Sequence, residues 1–282
     1  MAISSPKDIT PPSLQEDGKL AGDKVAAFMM HGRDWDGSQD PSGWIMSEKL
    51  DGVRAFWNGS KLYSKNGKEL PVPAEFTSTL PKDVFLDGEI WVGYDTLSKL
   101  TSILKKSVNM KNEPTRGLLW KDVRYCVFDS PMHPGNYQER HAHAAEAVSE
   151  CGTNIHLIPI EFCSGLDHLQ NKLDQIVELK GEGIMLYNPE ATYSSGRNSN
   201  ILKVKMHLEE DVTFLECNPN SYSFKCQQSN GIQCMVKCSS WDYTHPPPNG
   251  TSLTVRHNGY FKTSRKIKYP FLLRINQSNS II

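Results

Sequence analysis

The chain of 282 residues has no apolar run of the roughly 20 residues that a membrane-spanning helix needs. Its first 22 residues are polar and interrupted by Pro6, Pro11, Pro12 and Gly22, without the apolar core of a secretory leader. There is no Cys-x-x-Cys pair, and the seven cysteines are an odd number, so free thiols in a reducing compartment (nucleus or cytoplasm) are expected. Cys217, Cys226, Cys234 and Cys238 fall close enough together for a zinc site to be weighed. Cys234, Val236 and Cys238, however, alternate as one face of a strand, which favours buried thiols. Walker A loops, Rossmann fingerprints, G-x-S-x-G elbows and H-E-x-x-H helices are all missing, which removes several common chemistries. Excess charge is also lacking. A net charge of −1 excludes a protein that coats nucleic acid by bulk electrostatics.

What the chain does contain is one lysine in a specific setting. Lys49 stands in Ser47-Glu48-Lys49-Leu50-Asp51-Gly52-Val53-Arg54, followed by Leu86-Asp87-Gly88-Glu89-Ile90, Gly181-Glu182-Gly183-Ile184-Met185 and Leu202-Lys203-Val204-Lys205. A Lys-x-Asp-Gly alone is weak, because a turn glycine often has a charged neighbour. Four charged stations in this order are specific. A lysine attacks phosphorus only as the neutral amine, and its unperturbed pKa is about 10.4, so nearby cations and a dry pocket must depress it. Lys203 and Lys205 are placed to supply that field. A triphosphate also requires neutralisation, by a divalent cation on carboxylates (Asp87, Glu89 and Glu182 are candidates) and by Arg54, Lys203 and Lys205.

The segments SEKLDGVRAFWNG, LDGEIW, YCVFDSP, GEGIML and LKVK resemble the covalent nucleotidyltransferases, and most of all the minimal ATP-dependent DNA ligases of the small bacterial type. The resemblance runs from about Trp44 to the chain's end. It implies an α+β fold: a nucleotidyltransferase (ATP-grasp-like ligase) domain followed by a C-terminal OB-fold β-barrel. By that likeness Lys49 takes AMP from ATP, Asp51 and Arg54 position ribose and phosphate, Glu48 belongs to the nucleotide-binding stretch, and Glu89 binds the ribose hydroxyl. Phe128 stacks on adenine, Glu182 and Asp87 serve Mg2+ (Mn2+ as a substitute), and Lys203 and Lys205 contact phosphates. Arg197 approaches the nick. The implied partner is nicked duplex DNA, with RNA or a hybrid as the alternative, and the implied state is a monomer away from membranes. An RNA ligase of the same superfamily, a guanylyltransferase and a catalytically silent nucleic-acid-binding module are the rival readings.

Three places depart from the family pattern. Lys65 stands where an arginine is usual, a point charge in place of a bidentate fork. Phe271-Leu272-Leu273-Arg274-Ile275-Asn276 keeps one arginine but not Arg-x-Asp-Lys, and Cys238-Ser239-Ser240-Trp241-Asp242 replaces a Gly-Phe-Ser stretch. From Cys217 onward eight Lys and Arg face Asp242 alone, so this end is expected to carry a phosphate-binding face at Lys262, Arg265, Lys266 and Lys268.

The expected organisation is a loose tail over 1–22, an adenylation domain over 23–206 and an OB-fold over 207–282. Trp44 to Glu48 and Val53 to Trp57 read as strands joined at Asp51-Gly52, and with the turns at Asn58-Gly59 and Asn66-Gly67 they suggest a β-meander. Leu97, Leu100, Ile103 and Leu104 predict one helix, and Leu166, Leu169, Leu173, Ile176 and Val177 another that stops at Lys180-Gly181. Tyr125 to Phe128 and Ile155 to Ile160 read as strands. Alternation in Ile201 to Lys205 sends Lys203 and Lys205 to one face. His141 and His143 fit a surface helix better than a metal site, Asp34 and Asp36 a solvated loop, and Trp241 and Tyr243 either a base-stacking or a barrel position.

Overall fold

The computed structural model describes residues 20–261 and 263–276, in two compact units that part between Val204 and Lys205. The first contains α1 (Asp23–Phe28), β1 (Met30–Asp34), β2 (Ile45–Lys49), β3 (Val53–Trp57), β4 (Leu62–Ser64), α2 (Ala74–Thr77), β5 (Leu86–Trp91), α3 (Leu97–Val108) and α4 (Glu113–Leu119). It continues with β6 (Arg124–Asp129), α5 (Tyr137–Val148), β7 (Ile155–Leu157), β8 (Ile160–Phe162), α6 (Leu166–Glu178), β9 (Gly183–Tyr187) and β10 (Gly196–Lys205). These strands make two five-stranded sheets, ordered β1-β10-β9-β2-β8 and β4-β3-β5-β6-β7. No helix among the described residues is long and apolar enough to cross a membrane.

The period of two along each strand decides what the sheets bury and what they present. In the first sheet Met46, Ile184, Leu186, Leu202 and Val204 pack beneath Leu169, Leu173 and Ile176 of α6. Each fully buried aliphatic side chain of this kind contributes about 1.5–3 kcal/mol. The opposite face carries Ile45, Tyr187 and Ile201. In the second sheet Ala55, Trp57, Leu86, Ile90, Tyr125 and Val127 pack against Leu100, Ile103, Trp120, Ala144 and Val148 of the helices. The alternate positions Arg54, Asp87, Glu89 and Phe128 therefore lie on the other face. Arg54 donating to Met30 O and Tyr193 to Asp87 tie that face to the first sheet.

Two expected elements are corrected. β2 and β3 do not pair: β2 joins β8 and β9, while β3 joins β4 and β5. The Lys-Leu-Asp-Gly turn is thus a crossover between sheets, while the turns at Asn58-Gly59 and Asn66-Gly67 both close hairpins, the second through the antiparallel Tyr63–Glu69 bridge. Likewise the Ile155–Ile160 run splits at Pro159, which cannot donate to a ladder; β7 pairs with β6 in one sheet and β8 with β2 in the other. Helix α5 is more than a surface element. His141 is buried and bonded to Ile158 O at 2.8 Å, and Arg140 is buried in a two-pronged pair with Asp129 at 2.7 and 3.2 Å.

The second unit contains β11 (Leu208–Cys217), β12 (Ser223–Gln227), β13 (Gln233–Lys237), α7 (Ser240–Thr244), β14 (Ser252–His257) and β15 (Phe271–Ile275). Its strands close into a barrel in the order β11-β12-β13-β15-β14. Val212, Phe214, Phe224, Val236, Leu253, Val255 and Leu272 fill it together with Cys226, Cys234 and Cys238. Burial pushes the Cys226 thiol up to about 12 and Cys234 to about 11, so both remain protonated, unreactive apolar groups. Trp241 lies on α7, 69% exposed, with Ser239 capping the helix through Asp242.

Candidate active site

Lys49 is the last residue of β2, opposite Gly183 of β9, and its Nζ touches Glu182 Oε2. Two glycines make that contact geometrically available. A Cβ on Gly52 would lie 2.2 Å from Ile90 O and 2.9 Å from Glu89 Cγ, so only glycine lets the crossover turn lie against β5. At Gly181 a Cβ would lie 2.4 Å from Ile176 Cγ2. Helix α6 ends here in a Schellman arrangement: Lys180 N–H donates to Val177 O and Gly181 N–H to Ile176 O, both at 2.8 Å. The left-handed residue of this cap is Lys180, φ 67°, where the sequence had pointed to Gly181 as the stop. Gly181 is required for close packing instead. The cap then delivers Glu182 to Lys49. Asp51, in the crossover turn, lines a recess with Lys49, Tyr94, Lys180 and Glu182.

Across from Lys49, the inner face of the second sheet carries Arg54, Asp87, Glu89 and Phe128. Arg54 donates from Nε and Nη2 to the two Asp87 oxygens, both at 2.6 Å, and from Nη2 to Met30 O at 3.0 Å. Its guanidinium carbon lies 5.0 Å from the Phe128 ring centroid. Burial alone would pull the Arg54 pKa down, but the Asp87 carboxylate outweighs it and holds the value up. Asp87, fully buried, also accepts from Tyr193 at 3.0 Å. Three donors thus engage the carboxylate that was expected to serve the metal, two from Arg54 and one from Tyr193. Glu89 sits opposite Arg54 in the β3–β5 register and accepts from Gly52 N–H. Burial pushes its carboxyl up to about 8, with Lys49 and Arg54 opposing and Glu182 adding to the rise.

The remaining predicted residues separate into those brought to this face and those that are not. Lys203 is half-buried, opposite Asp34 of β1, with Nζ 4.0 Å from the Asp34 carboxylate; Lys205 ends β10, also half-buried, while Leu202 and Val204 are buried as alternation requires. Glu48 shares the Met46 face of β2 and lines the same recess as Lys49, Asp51 and Glu182, where it accepts from Tyr94 Oη at 3.3 Å; burial raises its pKa. Lys65 and Arg197 are exposed in the first unit, and Arg197 Nη1 donates to Gly32 O at 3.1 Å. In the second unit Arg265 lies over Tyr260 at 5.6 Å and Lys268 over Phe261 at 5.7 Å, on the loop between β14 and β15 that also carries Lys266. Lys262 lies outside the described residues.

Sequence reasoning missed Ser47, His31 and Tyr193. Ser47 is 5% exposed, on the Lys49 side of β2 by alternation, with no partner for its hydroxyl among the described residues. Its parity with Lys49 was a usable signal. Tyr193 accepts from Met30 N–H at 2.9 Å and donates to Asp87, linking segments 163 and 106 residues apart, which nothing local announces.

Known proteins are similar to this chain in sequence and in fold. Residues 37–205 fit the family model of the ATP dependent DNA ligase domain. A DNA ligase of Haemophilus influenzae is 31% identical over 234 residues, spanning 79% of this chain and 83% of that protein. Among solved structures, a Lig E DNA ligase studied for DNA binding with a minimal scaffold is 25% identical, with a TM-score of 0.75 over 88% of this chain and 98% of its own. The Chlorella virus DNA ligase-adenylate shares the fold at 15% identity and a TM-score of 0.52, over 92% of this chain and 99% of its own. The chain belongs to the ATP-dependent DNA ligase family.

Proposed function

We propose that this ligase seals 3′-hydroxyl/5′-phosphate nicks in duplex DNA through an AMP carried on Lys49. The observation that carries the reading is the Lys49–Glu182 contact at the crossover between two sheets, facing Arg54, Glu89 and Phe128. Membership of the family implies the use of ATP with a divalent metal. No group of three or more His, Cys, Asp or Glu among the described residues is gathered to hold a metal ion. Mg2+ is typically held by one or two carboxylates and substrate phosphates, and Glu182, in the recess beside Lys49, is the residue that would bind it. The ion would neutralise phosphate charge as the α-phosphorus is attacked.

In the first step the Lys49 ammonium, held in place by Glu182, gives its proton to solvent; Nζ then bonds to the α-phosphorus and the bond to pyrophosphate breaks. Phe128 stacks on adenine, Glu89 holds the ribose hydroxyl, and the Ser47 hydroxyl is open to a hydrogen bond from the nucleotide. Lys203 and Lys205 stabilise the phosphate charges. Next, an oxygen of the nick's 5′-phosphate attacks the AMP phosphorus and Lys49 leaves as the amine. Finally the 3′-hydroxyl attacks the activated 5′-phosphate, forming the phosphodiester and releasing AMP. Arg54, Lys65 and Arg197 hold the 5′-phosphate during these steps. The five-stranded barrel is read as an OB-fold whose Arg265, Lys266 and Lys268 contact backbone phosphates, with the protein acting as a monomer.

The test is a sealing assay with magnesium and ATP on nicked DNA, RNA and hybrid duplexes of one sequence, with Lys49→Ala as control. DNA should be sealed fastest and the variant should seal none. RNA sealed faster than DNA would move the assignment to RNA repair, and sealing by Lys49→Ala would remove Lys49 as the nucleophile.

A further inference from the structure

His31 lies on β1 between two backbone carbonyls that arginines occupy. Arg54 Nη2 donates to Met30 O at 3.0 Å and Arg197 Nη1 to Gly32 O at 3.1 Å, so guanidiniums bracket the histidine along its own strand. In the parallel β1–β10 register His31 is the partner of Arg197. Lys65, from the turn after β4, is a third cation near enough to act on the ring, and Asp87 of β5 is the acidic group that acts against them. Asp87 is already engaged by Arg54 and Tyr193. Four elements thus place three positive charges and one buried carboxylate around one half-buried imidazole. Positive charge is in excess there.

A field that opposes one more cation attracts an anion, and a dianion more than a monoanion. Burial first, then Arg54, Lys65 and Arg197, lower the His31 pKa from 6.5 to about 4. The empty site therefore holds a neutral ring, with one nitrogen donating and the other accepting. Such a ring adds a directional donor without adding repulsion among the three cations. A terminal phosphate monoester carries up to two negative charges at neutral pH, against one for an internal diester, and so matches this cluster better.

We infer that His31 is a specificity-determining residue for the nick, donating a ring N–H to the 5′-phosphate gathered by Arg54, Lys65 and Arg197. The inference rests on reading this cleft as the nick-sealing site. It is tested by equilibrium binding, in EDTA, of two nicked duplexes of one sequence, one with a 5′-phosphate and one with a 5′-hydroxyl at the nick. The full chain is used as wild type, His31→Ala, His31→Gln and Lys65→Ala. The wild-type preference for the 5′-phosphate should fall roughly fivefold in His31→Ala, the scale of one hydrogen bond, and recover in part in His31→Gln, whose amide donates. An unchanged preference in His31→Ala, with a loss in Lys65→Ala, overturns the role of His31 and leaves the cleft reading standing. No change in either variant overturns both. Equal losses on the two duplexes in His31→Ala assign the residue to structure alone and overturn the inference.

Discussion

The cleft of the first unit and the β14–β15 loop of the second both gather positive charge, and they hold it differently. In the cleft Arg54 is locked by a buried carboxylate and a carbonyl, and Lys49 by Glu182. On the loop Arg265 and Lys268 rest on the faces of Tyr260 and Phe261, and Arg265 and both aromatics are exposed. The first arrangement fixes a direction, as in-line phosphoryl transfer demands. The second supplies a field to which any one residue contributes a share. Substitutions in the cleft should therefore remove one step outright, whereas those on the loop should change affinity by degrees and with salt.

The largest effect expected from the cleft after loss of Lys49 itself is at Glu182. Glu182→Ala and Glu182→Gln should each slow label transfer from α-labelled ATP by about 10²–10³-fold, the range for loss of one group that helps neutralise transition-state charge, with circular dichroism unchanged. Transfer within twofold of wild type at all magnesium concentrations would give Glu182 a structural place only. Next comes Asp87→Ala, which leaves the Arg54 guanidinium without its buried partner. Breaking such a pair costs about 3–5 kcal/mol, read by urea denaturation, and sealing should fall with it. A stable Asp87→Ala protein that seals normally would show the cleft to be no more locked than the loop.

On the loop, Arg265, Lys266 and Lys268 changed together to Ala should flatten the log–log salt dependence of nicked-duplex binding by roughly 2–3, at about 0.9 per phosphate contact. An unaltered slope would return these residues to a solvated surface. The smallest effect concerns pH. Glu89 has its carboxyl raised to about 8 in the folded state, above an unfolded value near 4.5. The folded state then holds a proton that the unfolded state has lost between those values, so stability falls as pH rises from about 4.5 through 8. Glu89→Gln removes that dependence. It should raise the melting temperature of the empty protein at pH 8 and change it little at pH 4, and an equal change at both would remove the titration from the account.

What was legible in the sequence was the part written in local spacing. Alternation placed Lys203 on the face opposite Leu202 and Val204, and the helical period placed Leu169, Leu173 and Ile176 against one sheet. Periodicity carries no information on which sheet a strand joins. The Lys-Leu-Asp-Gly turn therefore looked like a hairpin, and the break at Pro159 was passed over. Glu48 could be placed beside Lys49 from its neighbourhood in the chain, and it does line the same recess. The surroundings of Asp87 could not be read that way, because Arg54 and Tyr193 reach its carboxylate from distant segments. His31 had no local signal, since its cationic surroundings come from β3, the turn after β4, and β10.

The central claim is that the amine at the sheet crossover is the one that carries AMP. The direct measurement is to incubate the wild-type protein with ATP and magnesium, digest it, and locate the adenylated peptide by mass spectrometry. The account predicts a single acid-labile AMP on Lys49, discharged when a nicked duplex with a 5′-phosphate is added. AMP on Lys203, Lys205 or any other residue, or a stoichiometric Lys49 adduct that a nick does not discharge, would contradict it.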